Sequence, residues 1–260
     1  MVCLASRPYG GYYRNLGRET FMVPFTWENG WPVVNAGIGL VEDTFIRPKL
    51  PIQPKIEIKE KEDFDSLESF PLHFLFQRNP IVENYSLTER PGYLRMKLSP
   101  DKASSLVNPS MTLIRQQHMS FIFETSIDFS PRNEKEQAGI ILNQSESYNY
   151  QFLVSKQGEK SLFSLIKTYD GKEELELTKE LDSYYQNLTL RVEAKGQELT
   201  FSYSHDGKTF EVFAENKGAR FLSTDIAGGF VGNCLGLYCT SNGVKTETVC
   251  DFDYLFYKGL

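Results

Sequence analysis

Histidine and cysteine are scarce in this sequence, with three and four in 260 residues. His73, His118 and His205 lie far apart, and none stands in an HxH or HExxH arrangement. Nothing here therefore resembles a histidine-built metal centre or a paired acid–base site. Cys3, Cys234, Cys239 and Cys250 show no CxxC spacing and are too few for a disulfide-stapled scaffold. They read as free thiols, three of them inside strand-like runs.

Also missing are a serine in a GxSxG elbow and the glycine loops GxGxxG and GxxxxGK, which leaves serine-hydrolase and nucleotide chemistry without support. Positive charge is not in excess. With 28 Lys and Arg against 34 Asp and Glu the net charge is −6, which argues against a surface that tracks phosphates. No nucleic-acid partner is expected. No apolar run approaches the roughly 20 residues that span a bilayer, so no membrane partner is expected either. The first residues lack the basic-then-apolar layout of a signal peptide, and a cytoplasmic location is the expectation.

What the sequence does have is aromatic weight, 19 Phe and 14 Tyr, together with short alternating runs broken by glycine turns. From about residue 63 onward the runs "YLRMKLS", "SFIFETSIDFS", "QAGIILNQ", "YNYQFLVSK" and "SLFSLIKTYDG" follow one another at short spacing. All are too short or too glycine-bounded for helices. The stretch "RVEAKGQELTFSYSHDGKTFEVF" reads as three consecutive antiparallel strands, turning at Lys195-Gly196 and Asp206-Gly207. Many short strands at this spacing predict an all-β sandwich or barrel.

Three parts are expected along the chain. Residues 1–35 hold short strands, with a hairpin turn at Asn29-Gly30 between "ETFMVPFTW" and "WPVV". Residues 36–55 shift to Gly and Pro and end in "RPKLPIQPK", a semi-rigid connector. Residues 56–260 form the sandwich. The first part has too few strands to close a core of its own. Its apolar residues Phe21, Val23, Phe25 and Trp31 are expected to pack on the sandwich, pair with another chain or lack order, and a free-standing ordered hairpin is not expected.

Carboxylates are plentiful, but no facing pair can be picked from 34. Asp251 and Asp253 flank Phe252 and would project to one side of a strand, making them weak candidates for a structural calcium site beside the plainer reading of surface charge. Arg18 sits beside Glu19 between a glycine and an apolar strand, in a hairpin built for burial. A guanidinium there needs a carboxylate or a cluster of hydroxyls. An internal ion pair and a ligand contact both fit.

The run "LGRETF" with "WENGWPVVN", the Pro-rich connector, then "NPIVENYSLTERPGYLRMKLS", "LIRQQ", "AGIILNQSESYNYQFLV", "YSHDGKTF", "GGFVGNCLGLYCTSNG" and "DFDYLFY" resembles the C-terminal part of glycoside hydrolase family 43 β-xylosidases and α-L-arabinofuranosidases. The resemblance covers nearly the whole chain in order. It implies a concanavalin-A-like jelly-roll β-sandwich, preceded by a remnant of the last blade of a five-bladed β-propeller. It implies inverting, exo-acting hydrolysis of xylo-oligosaccharides or a related pentose glycan, with no cofactor required. Arg18 would contact the innermost sugar, and Phe230, among Gly228, Gly229 and Gly232, would cap the pocket rim.

The general-base Asp, the pKa-tuning Asp and the general-acid Glu of such enzymes come from earlier blades and have no counterparts here. No residue of this chain is therefore expected to be catalytic, and the chain alone is not expected to hydrolyse. The resemblance leaves three roles open: part of a hydrolase completed by a propeller, a stand-alone carbohydrate-binding module, and a scaffold for a homo-oligomer.

Overall fold

The computed structural model describes residues 1–54 and 59–260, so the expected boundary between residues 55 and 56 lies outside the described residues. The chain opens with four short strands, β1 (Val2–Ala5), β2 (Glu19–Met22), β3 (Phe25–Glu28) and β4 (Trp31–Val34). Then come β5 (Lys61–Glu62), β6 (Tyr85–Ser86), β7 (Leu94–Lys97), β8 (Ser110–Arg115), β9 (Phe121–Phe129), β10 (Gln137–Ser145) and β11 (Tyr148–Gln157). The last group is β12 (Lys160–Tyr169), β13 (Lys172–Glu180), β14 (Asn187–Lys195), β15 (Glu198–Ser204), β16 (Glu211–Gly218), the one-turn α1 (Thr224–Ala227), β17 (Cys234–Thr240) and β18 (Val249–Gly259).

From β5 onward the strands make a two-sheet jelly-roll sandwich. One sheet runs β13-β12-β11-β10-β17-β8, and the other runs β16-β15-β14-β9-β18-β7-β6 with β5 added against β18. All the named pairings are antiparallel. Strand β9 shows why. Phe121, Phe123, Thr125, Ile127 and Phe129 are buried and alternate with the half-buried Ile122, Glu124, Ser126 and Asp128, so one largely apolar face turns inward. The expected triple β14-β15-β16 forms, turning at Gly196 and Gly207 with φ of 61° and 69°.

Strand β10 does not alternate, because its sheet is covered on both faces. Ala138, Ile140 and Leu142 enter the main core, whereas Ile141 joins Met111, Leu113, Leu153 and Tyr238 on the outer side. Leu75 bridges to Leu113, and Ala103 of the loop before β8 packs in from outside with its N–H donating to the Tyr238 hydroxyl at 3.1 Å, which closes that outer cluster. The continuous apolar run "GIIL" is the signature of this two-sided burial.

Cys3, Cys234, Cys239 and Cys250 are all free thiols in strands. Burial pushes the Cys239 and Cys250 thiols well above the usual range, so they act as small apolar packing groups.

The N-terminal residues form two separate two-stranded sheets. Strand β1 pairs with β2, with Val2 opposite Met22, and β3 pairs with β4 through the expected turn, where Asn29 and Gly30 have φ of 52° and 83°. Val23 is buried, but Trp27 and Trp31 of the hairpin are 69% and 75% exposed. Strand β2 is thus half-buried, whereas β3-β4 does not pack on the sandwich and stands open in the single chain, with Phe25 edge-on to Trp27 at 5.6 Å. Residues 36–54 form no strand, and Ile46, Leu50 and Ile52 are exposed along them.

Asp251 and Asp253 are used differently from the calcium expectation. Asp251 is buried and accepts from Arg95 Nε and from Arg90, each at 2.7 Å. Two guanidinium groups therefore occupy the positions a cation would take, and a β-bulge between Phe252 and Tyr254 breaks the alternation that would have aligned the two carboxylates. Desolvation works to raise the Asp251 pKa, but the hydrogen bonds from Arg95 and Arg90 outweigh it and leave the carboxyl below its ordinary value. Asp253 moves the other way, raised by burial and only partly offset by Lys61. No group of three or more His, Cys, Asp or Glu is placed to hold a metal among the described residues.

Because the folded pKa of Asp251 lies below its unfolded value of about 3.9, its stabilising contribution is complete above that pH and is lost as the pH falls through the folded value. Asp251→Asn is expected to cost about 1–2 kcal/mol at pH 7, at the low end for a charged hydrogen-bond pair because both arginines are partly solvated. The loss should shrink toward pH 2, and urea titrations at the two pH values measure it. A cost unchanged with pH would contradict the assignment.

Candidate functional site

The site begins with a strap, residues 14–17, that crosses the loops before β17. Arg14 anchors it, with its main-chain N–H donating to Asp225 at 2.6 Å and its guanidinium pairing with the same carboxylate. That pairing outweighs the smaller effect of burial and lowers the Asp225 pKa. Asn15 is the hub of the joint. It is 1% exposed, donates to the Ala219 carbonyl at 2.8 Å, accepts from Gln197 Nε2 at 2.7 Å, and offers its own carbonyl to the Asn233 N–H at 2.7 Å.

Two glycines let the backbones touch. A Cβ on Gly17 would sit 2.3 Å from the Gly232 nitrogen, and one on Gly232 would sit 2.4 Å from the Leu16 carbonyl oxygen. Gly17 also has φ of 69°, a conformation that disfavours any side chain. The glycines around Phe230 therefore divide their work. Gly228 and Gly229 supply positive φ of 77° and 72° with open space around them, while Gly232 supplies close approach. The buried Gln144 side chain steadies this loop by donating to the Gly228 carbonyl at 3.2 Å.

The strap delivers Arg18 to Phe230. The guanidinium carbon lies 3.8 Å from the ring centroid, a cation–π contact between two residues far apart in sequence that had both been expected at a sugar site. Arg18 is exposed, and no carboxylate pairs with it among the described residues, so the internal ion-pair reading does not hold. Its neighbour Glu19 pairs instead with Arg7 at 2.6 Å. Beside the contact lies a cavity of about 330 Å³ lined by Leu16, Arg18, Arg115, Gln116, Phe230 and Asn233. No Asp or Glu lines it among the described residues, so the site holds donors and an aromatic face but no acid–base pair.

Sequence reasoning missed Asn15, Gln144, Arg115 and Asn233. Their roles come from contacts across the fold, and no local spacing marks them. The three histidines do not converge: His118 Nδ1 lies 3.1 Å from the Tyr257 hydroxyl, His73 tilts against Phe74, and His205 stacks near Tyr185.

The two antiparallel sheets, their order and the doubly buried β10 and β17 within the six-stranded layer define a concanavalin A-like β-sandwich. Residues 61–258 match the family described as the β-xylosidase C-terminal concanavalin A-like domain of glycoside hydrolase family 43, and the chain belongs to it. It is 31% identical over 260 residues to a non-reducing end α-L-arabinofuranosidase of Bacteroides ovatus, covering all of this chain and 48% of that protein. A xylosidase/arabinosidase of Butyrivibrio fibrisolvens is 34% identical over 256 residues, which is 98% of this chain and 48% of the relative. Among solved structures, a family 43 protein of Bacillus licheniformis superposes with a TM-score of 0.92 at 28% identity, covering all of this chain and 50% of that one. The chain thus spans about half the length of the curated relatives it matches.

Proposed function

We propose that this chain forms the C-terminal portion of an exo-acting pentosidase of the xylosidase and arabinofuranosidase type, and that Arg18 and Phe230 belong to the rim of its sugar site. The observation that carries the reading is the Arg18–Phe230 contact itself. A guanidinium without a carboxylate lies over an aromatic ring at the mouth of a cavity, an arrangement suited to a neutral sugar's hydroxyls and apolar ring face. Names of relatives that span this chain, xylosidases and an arabinofuranosidase, support a pentose-containing glycan.

Catalysis then needs a preceding domain. Inverting hydrolysis requires two carboxyl groups roughly 6.5–9.5 Å apart with a water between them, and none lines this cavity among the described residues. The N-terminal sheets fit a docking role for that domain. Val2, Leu4, Met22, Trp27 and Trp31 are exposed, and a cavity of about 990 Å³ opens between β1-β2 and the segment holding His118 and Met119.

The test is calorimetric titration of the chain with xylobiose and arabinobiose, beside an assay with an aryl β-D-xyloside. Binding without turnover is expected. Arg18→Ala should weaken binding by about tenfold or more, as for one lost charged hydrogen bond, and Phe230→Ala should also weaken it. Turnover by the chain alone, lost in Arg18→Ala, would show that the catalytic pair is not supplied from outside. Binding unaffected by either substitution would remove the sugar from this cavity.

A further inference from the structure

We infer that Asn29 is a site of spontaneous covalent modification, deamidation through a cyclic imide, and that the fold exposes this asparagine while shielding the same dipeptide elsewhere in the chain.

The chemistry needs only water. The main-chain nitrogen of the following residue attacks the asparagine Cγ, and the new C–N bond closes a five-membered succinimide. The side-chain amide nitrogen leaves as ammonia and carries away the displaced proton. Water then opens the ring at one of its two carbonyls, giving aspartate or, with the main chain rerouted through the side-chain carbon, isoaspartate. Glycine in second place favours the attack, because no side chain crowds its nitrogen. Two such pairs occur, Asn29-Gly30 and Asn242-Gly243.

Turn conformation does not separate them. Both asparagines are left-handed, with φ of 52° and 49°, and both glycines follow at 83° and 84°. Hydrogen bonding does. Asn242 Nδ2 donates to the Lys135 carbonyl at 2.8 Å and to Gln137 Oε1 at 3.0 Å, and the Gly243 N–H donates to the Pro100 carbonyl at 2.9 Å. Leaving group and nucleophile are thus both held. Asn29 is exposed, and neither its amide nor the Gly30 N–H has a hydrogen-bond partner among the described residues. Nothing lies within 4 Å of where a Gly30 Cβ would stand.

Freedom to reach the reactive geometry is the second difference. Ring closure requires rotation about the asparagine Cα–C bond, so either turn must open first. The β3-β4 sheet has two strands of four residues, stands apart from both sandwich sheets and leaves Trp27 and Trp31 exposed. A hairpin of that kind is marginal by itself and opens at little cost. Opening at Asn242 must also break the Ser241 N–H bond to the Ser99 carbonyl, at 2.9 Å, beside the buried Thr240.

The product changes the hairpin irreversibly. Either acid adds a negative charge between Trp27 and Trp31, and isoaspartate also adds a main-chain carbon to a two-residue turn, which breaks the Glu28–Trp31 register. Its effect on docking of a preceding domain rests on the docking reading above; the chemistry at Asn29 is independent of it.

The test incubates the intact chain at mildly alkaline pH, with and without urea, and follows the peptides carrying Asn29 and Asn242 by mass spectrometry, with fragmentation that separates aspartate from isoaspartate. In the folded chain Asn29 is expected to convert about tenfold or more faster than Asn242, whose reaction waits on a costlier opening. In urea, where neither turn persists, the two rates should approach each other. Asn29→Gln, whose longer side chain would have to close a six-membered ring, should leave that position intact. Equal conversion in the folded chain, or earlier conversion at Asn242, would overturn the inference. So would an Asn29 that survives while the urea sample converts. A difference that persists undiminished in urea would place the cause in the neighbouring residues and not in the fold, and would overturn it too.

Discussion

Phe152→Ala is expected to lower the stability of the chain by about 3–5 kcal/mol, the range for truncating a fully buried aromatic. Phe152 is fully buried on β11, and its ring touches both sheets. It lies 5.7 Å from Phe163 within its own sheet, and 5.2 Å from Phe213 and 5.6 Å from Phe201 across the core. Removing the ring empties a space walled by hydrogen-bonded strands, which cannot collapse into it as a loop could. In urea the midpoint should drop with little change in slope, since the surface exposed on unfolding is nearly the same. A loss below about 2 kcal/mol would mean that the core relaxes around the cavity.

Gly17→Ala is expected to act locally and still strongly. The left-handed backbone there disfavours a side chain, and the new Cβ would meet the Gly232 backbone at 2.3 Å, for a joint cost of about 2–5 kcal/mol. No atom of the sandwich core lies in the way, so the strap should lift and the core should persist. Hydrogen exchange separates the two outcomes. The Asn233 amide, which donates to the Asn15 carbonyl, should lose protection by orders of magnitude, while amides within β10 and β11 keep theirs. Sugar binding should weaken with it, because the strap carries Arg18 to Phe230. Unchanged protection at Asn233 would show that the glycine contact is not what holds the strap.

Particular residues show how far the sequence could be read. The alternation of "FIFETSIDF" states which face of β9 is apolar, and Asn29-Gly30 states where β3 must turn, because each signal is carried by neighbours along the chain. Arg18 and Phe230 are legible as candidate site residues only through the family resemblance; chemistry alone leaves Arg18 between an ion pair and a ligand. Asp251 was misread for the opposite reason. Two acids two residues apart look like a paired site until Arg90 and Arg95 arrive from a distant part of the chain, and until a bulge interrupts the strand between them.

The sequence by itself determined the all-β class, the turns, the inward faces of the strands and the aromatic weight of the core, since period and turn chemistry are local properties. Only the tertiary structure decided that Asn15 bolts the strap to three separate loops and that Arg18 lies on Phe230. These depend on which distant backbones come close enough to exchange hydrogen bonds. That choice is made by the closure of the two sheets on a shared core, and no spacing along the chain encodes it.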